Sequence, residues 1–108
     1  MDDNGLTFDD LISGDELTVI DFSATWCMPC RMLKPIFERV AEHCTDVSFY
    51  NVDIDENEEV AKRYRIFSVP TLVCFKKGKK LDSLVGLNSF EEIVEFVERC
   101  QEMEVEED

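Results

Sequence analysis

The feature that most restricts the fold is the junction where a short apolar run, Val19-Ile20-Asp21-Phe22, gives way to Cys27-Met28-Pro29-Cys30 and then to a helical pattern. Leu33, Phe37, Val40, Ala41 and Cys44 recur at i, i+4, i+7, i+8 and i+11, one stripe at the helical period. A run that is apolar on both sides suits a buried parallel strand, so the junction reads as strand, turn, helix. Cysteines three apart in a first helical turn lie on one face, with Cβ atoms about 5–6 Å apart, within reach of disulfide geometry. That turn also carries backbone N–H groups without intrahelical partners and is the positive end of the helix dipole. Cys27, at its mouth, is therefore the more easily ionised sulfur and the nucleophile. Pro29 is tolerated there because its missing N–H is not needed, whereas Pro35 predicts a kink.

The same two cysteines also fit half of a zinc site. Zinc takes four ligands, and the other candidates are His43 and the widely spaced Cys44, Cys74 and Cys100, with no second close pair. The spacing favours redox use and leaves the metal reading open. Cys44, Cys74 and Cys100 fall on apolar faces and read as small core hydrophobes. His43 stands beside a helix end, where it would meet the last carbonyls.

Along the chain, Thr7-Phe8-Asp9-Asp10 predicts an N-cap and a short helix to about Ser13. Strands follow at 18–23, 47–52 and 71–75, with helices at 28–44 and 58–64 between them, and such crossovers predict parallel pairing. The residues Lys76 to Lys80 form a turn, from which 81–85 returns as a hairpin strand. Asn88-x-x-Glu91 reads as a variant capping box for a last helix with Phe90, Ile93, Val94 and Val97 as its buried stripe. One domain over 1–101 is expected, followed by an acidic, frayed tail at 102–108.

Charge narrows the partners. With 25 acids against 11 bases in 108 residues, the net charge of −14 would repel a phosphate backbone and an anionic membrane. The Met1-Asp2-Asp3-Asn4 start lacks the regions of a signal peptide, and no apolar run approaches a membrane span. A cytoplasmic protein is expected, and an odd count of five cysteines suits a reducing compartment.

Beyond the two cysteines, the chain resembles the thioredoxin family in spaced blocks. These are Val19-Ile20-Asp21-Phe22-Ser23-Ala24-Thr25-Trp26-Cys27-x-Pro29-Cys30, Pro35, Asp53-Ile54-Asp55-Glu56-Asn57, Val69-Pro70-Thr71-Leu72, Lys77-Gly78 and Val85-Gly86. The resemblance implies an α/β thioredoxin fold, a central mixed sheet of four strands with room for no more than a stub of a fifth before Thr7, and helices on both faces. It implies a general protein-disulfide reductant and electron carrier, with Cys27 attacking, Cys30 resolving, Asp21 as a buried acid/base and Pro70 in the cis form. Trp26, Met28, Pro29, Val69, Val85, Gly86 and Leu87 would form the substrate rim. No bound cofactor is implied. The implied partners are disulfide-containing proteins and an NADPH-dependent thioredoxin reductase as electron donor, with the chain itself a monomer. Two departures stand out: Met28 where the family usually has glycine, and Asn51 where it often has a lysine near the buried aspartate. A more oxidising oxidase or isomerase, and a non-catalytic interaction module, are the alternatives.

Overall fold

The computed structural model describes residues 7–105. Their elements run α1 (Phe8–Ile12), β1 (Thr18–Ser23), α2 (Met28–His43), β2 (Ser48–Asp53), α3 (Glu58–Arg63), β3 (Thr71–Lys76), β4 (Lys79–Val85) and α4 (Phe90–Gln101). The four strands form one mixed sheet in the order β2-β1-β3-β4. β1 and β2 pair in parallel across the α2 crossover, with Asp21 opposite Asn51. The third strand departs from expectation, because β3 runs antiparallel to β1. α3 has six residues, about 9 Å of helix, too short to carry the chain back along the sheet. The loop after it, with Arg65 at φ +56°, turns the chain so that β3 starts where β1 and β2 end. This brings Pro70 to the same end of the sheet as Cys27.

Alternation along β1 divides the core in two. Val19 faces α2 and α4, in a cluster with Leu33, Phe37, Val40, Leu72, Ile93 and Phe96. Ile20 and Phe22 face α1 and α3, with Phe8, Val52, Val60 and Phe75. Asp21 and Ser23 share the Val19 face by the same period, and so lie beneath α2. Cys44, Cys74 and Cys100 are buried free thiols packed within the α2/α4 cluster, apart from the cluster that holds Cys27 and Cys30.

Thr7 caps α1 and forms a reciprocal pair with Asp10. The hairpin turn narrows to Lys77-Gly78, both at positive φ, a two-residue turn of the kind that matches strand twist. It is docked on the end of α1, with the Lys77 N–H donating to the Gly14 carbonyl and the Gly78 N–H to Ile12. Helix α2 runs through Pro35 to His43. The His43 ring sits edge-on to Phe90, 5.6 Å away, rather than at the helix carbonyls suggested by sequence.

The cap of α4 also lies one residue later than the sequence suggested. Ser89, not Asn88, caps the helix, its Oγ accepting the Glu92 N–H, and Glu92, not Glu91, closes the capping box. Asn88 instead donates its amide to the Val85 and Gly86 carbonyls, which fixes the turn ahead of the helix. The buried stripe keeps Ile93 and Val97 and adds Phe96 and Cys100, while Phe90 and Val94 are only partly covered. Ser89→Ala is therefore expected to cost about 1 kcal/mol of stability, read as a lower urea midpoint at unchanged slope. At the far end of α4, Met103 still packs against the core and the Gln101 amide donates to Asp46. The expectation of an N-terminal strand stub, and the end of the acidic tail, lie outside the described residues.

Candidate active site

The site is built where β1 turns into α2. The Ala24 carbonyl accepts the Cys27 N–H at 3.2 Å, and Arg31 reaches back to the Thr25 carbonyl with two donors, Nε at 3.2 Å and Nη2 at 2.8 Å. The turn is thus tied at both sides of Trp26. Cys27 is the N-cap residue of α2, in extended conformation (φ −96°, ψ 112°), and Pro29 lies in the first turn, where no N–H is missed. A sulfur takes the place of the usual capping oxygen, and the Cys30 N–H donates to Cys27 Sγ at 3.2 Å. A thiolate on Cys27 would be held by that N–H and by the helix dipole, the arrangement that favours the ionised sulfur.

Cys27 and Cys30 are joined by a disulfide, with Cα atoms 5.3 Å apart. Both are only 5% exposed, enclosed by Ala24, Ile54 and Val69. The Val69–Pro70 bond is cis. The Val69 carbonyl lies 3.6 Å from Cys27 Sγ, so the backbone just before the proline stands beside the sulfur that would be attacked or would attack. The Gly86 N–H donates to the Pro70 carbonyl at 2.8 Å, with Gly86 at φ +96°, a conformation that favours glycine. That bond draws the Val85-Gly86-Leu87 segment to the Pro70 end of the sheet. Around this point Trp26 (66%), Met28 (59%), Val85 (59%) and Leu87 (44%) are large apolar side chains left in solvent.

Asp21 is 1% exposed on β1 beneath α2. Burial pushes its carboxyl up from 3.8 to about 6, and a hydrogen bond from Asn51 offsets part of that rise. The partner is the Asn51 Nδ2, 3.1 Å from Oδ2, while the buried Oδ1 has no partner among the described residues. A cleft of about 380 Å³ opens next to these groups, and Cys30 and Asn51 both line it.

Some contributors escaped the sequence reading. The Trp26 indole N–H donates to Asp55 Oδ2 at 2.8 Å, and Asp55 in turn is placed by its N–H on Asp53 Oδ1 at 2.8 Å. Asp55 lay within a family block, yet only the fold shows that it holds Trp26 across the site. Ser23 also lay within a family block, but its cross-strand amide partner did not show there, and Arg31, whose partner is a carbonyl, carries no sequence signal. Phe67, 88% exposed three residues before Pro70, is the most exposed large apolar side chain among the described residues.

Known proteins are similar to this chain over most of its length. A family model described as Thioredoxin matches residues 2–99. Thioredoxin-2 of Saccharomyces cerevisiae is 47% identical over 78 residues, covering 72% of this chain and 75% of that protein. Human thioredoxin is 45% identical over 76 residues, covering 70% and 72% respectively. Among solved structures, thioredoxin of Plasmodium falciparum superposes with a TM-score of 0.80 at 37% identity, covering 85% of this chain and 89% of that one. A mixed sheet with a paired dithiol at the head of α2, matched by a family model along most of its length, leaves one assignment: the chain belongs to the thioredoxin family.

Proposed function

We propose that Cys27, Cys30, Asp21 and the Val69–Pro70 segment divide between them the work of a general protein-disulfide reductase. The activity is that of the family: thiol–disulfide exchange on protein disulfides through the Cys27/Cys30 dithiol. In the reduced chain the Cys27 thiolate attacks one sulfur of a substrate disulfide, and the other sulfur leaves as a thiolate. Cys30 then gives up its proton to the Asp21 carboxylate. Its thiolate attacks Cys27 Sγ, the bond to the substrate breaks, and the second substrate thiolate departs with the electron pair. The chain is left as the Cys27–Cys30 disulfide. A carboxyl near 6 is suited to that proton step, since it is ionised at neutral pH and still basic enough to accept.

The substrate docks as an extended segment beside Val69, with backbone pairing supplying affinity and little sequence demand. Trp26, Met28, Pro29, Val85, Gly86 and Leu87 form the apolar rim around it, and five of these six are exposed. The observation that carries this reading is the single sulfur, Cys27 Sγ, that caps α2 and lies against the Val69 carbonyl. Among the described residues no helix is long and apolar enough to cross a membrane. We place the protein in the cytoplasm as a monomeric carrier in electron transport and redox homeostasis. Its domain spans 1–101, ahead of an acidic end at 102–108, and an NADPH-dependent thioredoxin reductase reduces it after each cycle.

Titration of the dithiol against defined dithiol/disulfide buffers, with alkylation to count free thiols, tests the reading. A two-electron step more reducing than the glutaredoxin range of about −200 to −230 mV is expected. A value near the strongly oxidising end, about −120 mV, would make the chain an oxidant instead. No paired step at all would leave a binding module.

A further inference from the structure

Asp21 sits at the end of a hydrogen-bond chain that begins at the cleft. Ser23 Oγ donates to Asn51 Oδ1 at 3.1 Å, and Asn51 Nδ2 donates to Asp21 Oδ2 at 3.1 Å. The register requires this meeting, because Asn51 is the direct parallel partner of Asp21, and Ser23 lies two residues along β1 on the same face. The two ends of an amide are alike in shape and opposite in chemistry, since only the NH2 can donate. A flipped Asn51 would set its oxygen against the carboxylate. The hydroxyl of Ser23, itself 8% exposed, is placed to hold the amide the productive way round. Asp21 Oδ1 is left buried without a partner among the described residues.

We infer that Asn51, locked by Ser23, is the positioning residue for the buried carboxylate: it occupies Oδ2 of Asp21 and leaves Oδ1 as the oxygen that takes the proton. The inference rests on the reading of Asp21 as the base for Cys30. Its chemical content is the kind of donor. A cation beside a buried carboxylate favours the charged form strongly, whereas a neutral amide offsets burial only in part. An aspartate tuned by an amide therefore stays basic enough to accept a thiol proton. The charged and titratable groups that share the cleft with Asn51 are Cys30, Arg31 and Lys34 from α2 and Asp53 from β2. On its other side Asp21 faces Leu72 of β3, which is apolar, and α1 and α3 lie on the opposite face of the sheet. Solvent in the cleft meets both Asn51 and Cys30, so the proton released in each cycle has a wet exit beside the sulfur it leaves.

The test follows the Asp21 side-chain carboxyl by carbon-13 NMR titration of the full-length chain, together with the pH profile of the resolving step in single turnovers. Asn51→Ala removes a hydrogen bond to a charged group and should move the Asp21 midpoint upward by about one pH unit. The share of Asp21 ionised at pH 7 then falls from about nine-tenths to about one-half, and the resolving step near that pH slows about twofold. Asn51→Lys should move the midpoint downward, and Ser23→Ala upward by less than Asn51→Ala. Opposite signs for alanine and lysine are a result that a merely structural side chain would not give, and Ser23→Ala serves if an Asn51 variant folds poorly. Unmoved midpoints in both Asn51 variants, or shifts of the same sign, would overturn the inference. Asp21→Asn, measured alongside, tests the underlying reading separately: if the pH profile of the resolving step is unchanged in that variant, Asp21 is not the base, whatever Asn51 does.

Discussion

Cys30→Ser is expected to stop turnover at the mixed disulfide while leaving the first attack intact. The Cys27 thiolate keeps its position as cap of α2 and its distance of 3.6 Å to the Val69 carbonyl, so it still displaces one sulfur of a substrate. What is lost is a thiol placed three residues away on the same turn. Well-oriented intramolecular groups act at effective concentrations of about 10⁵ M or more, which millimolar thiols in solution do not replace. Reduction of a protein disulfide such as insulin should therefore fall at least about a thousandfold. The chain should also accumulate covalently bound to substrate, as an adduct seen on non-reducing gels and released by dithiothreitol. Cys27→Ser should give neither turnover nor adduct. Full turnover in Cys30→Ser, or an adduct in Cys27→Ser, would reverse the assigned order of attack.

Asp21→Asn is expected to make the protein more stable and worse at its task. A carboxyl whose midpoint rises from 3.8 to about 6 on folding binds its proton more tightly in the folded chain than in the unfolded one. The contribution of Asp21 to stability is then fully present below about pH 3.8 and is lost as pH rises through about 6. The rise of about two pH units, at 1.36 kcal/mol each, places the cost of the charged carboxylate at about 3 kcal/mol near pH 7.5. Asparagine removes the charge and keeps the acceptor for Asn51, although its own NH2 then sits unpartnered where Oδ1 was, at a cost of about 1 kcal/mol. The net gain near pH 7.5 is about 2 kcal/mol, about 10 °C in melting temperature for a domain of this size. Urea unfolding from pH 3 to pH 8 should show the slope between pH 4 and 6 flatten in the variant. Equal stability of the two proteins near pH 7.5 would mean that Asp21 is not held in a costly state. The same carboxylate would thus carry both effects, since burial that makes it a usable base also makes its charge expensive.

Much of this was legible in the chain because local rules sufficed. The stripe from Leu33 to Cys44 fixed α2 and its buried face, and the structure covers Leu33, Phe37, Val40 and Cys44 as the period requires. Thr7 was readable as a cap from its own neighbourhood. The cap of α4 was misplaced by one residue because Asn88 and Ser89 are both good caps, and the choice falls to the Gly86 turn, which claims the Asn88 amide. The direction of β3 was not readable either: α3 has ordinary helical content, and only its length, together with the turn at Arg65, decides which way the chain re-enters the sheet.

The candidate site divides in the same way. The family and its dithiol chemistry are readable from the chain alone: two sulfurs one helical turn apart, a proline between them, an acid in an apolar run and a proline ahead of a strand. Each of these is a short-range pattern whose meaning depends on a few neighbouring residues. Tertiary structure alone decided the partners. Register placed Asn51 across from Asp21, and antiparallel β3 brought the Val69 carbonyl to Cys27 Sγ. The β2–α3 loop carried Asp55 to the Trp26 indole. Hydrogen bonds across 28 to 30 residues, and a sulfur–carbonyl contact across 42, leave no trace in local spacing. They follow from strand order and register, which are set by how the whole core packs.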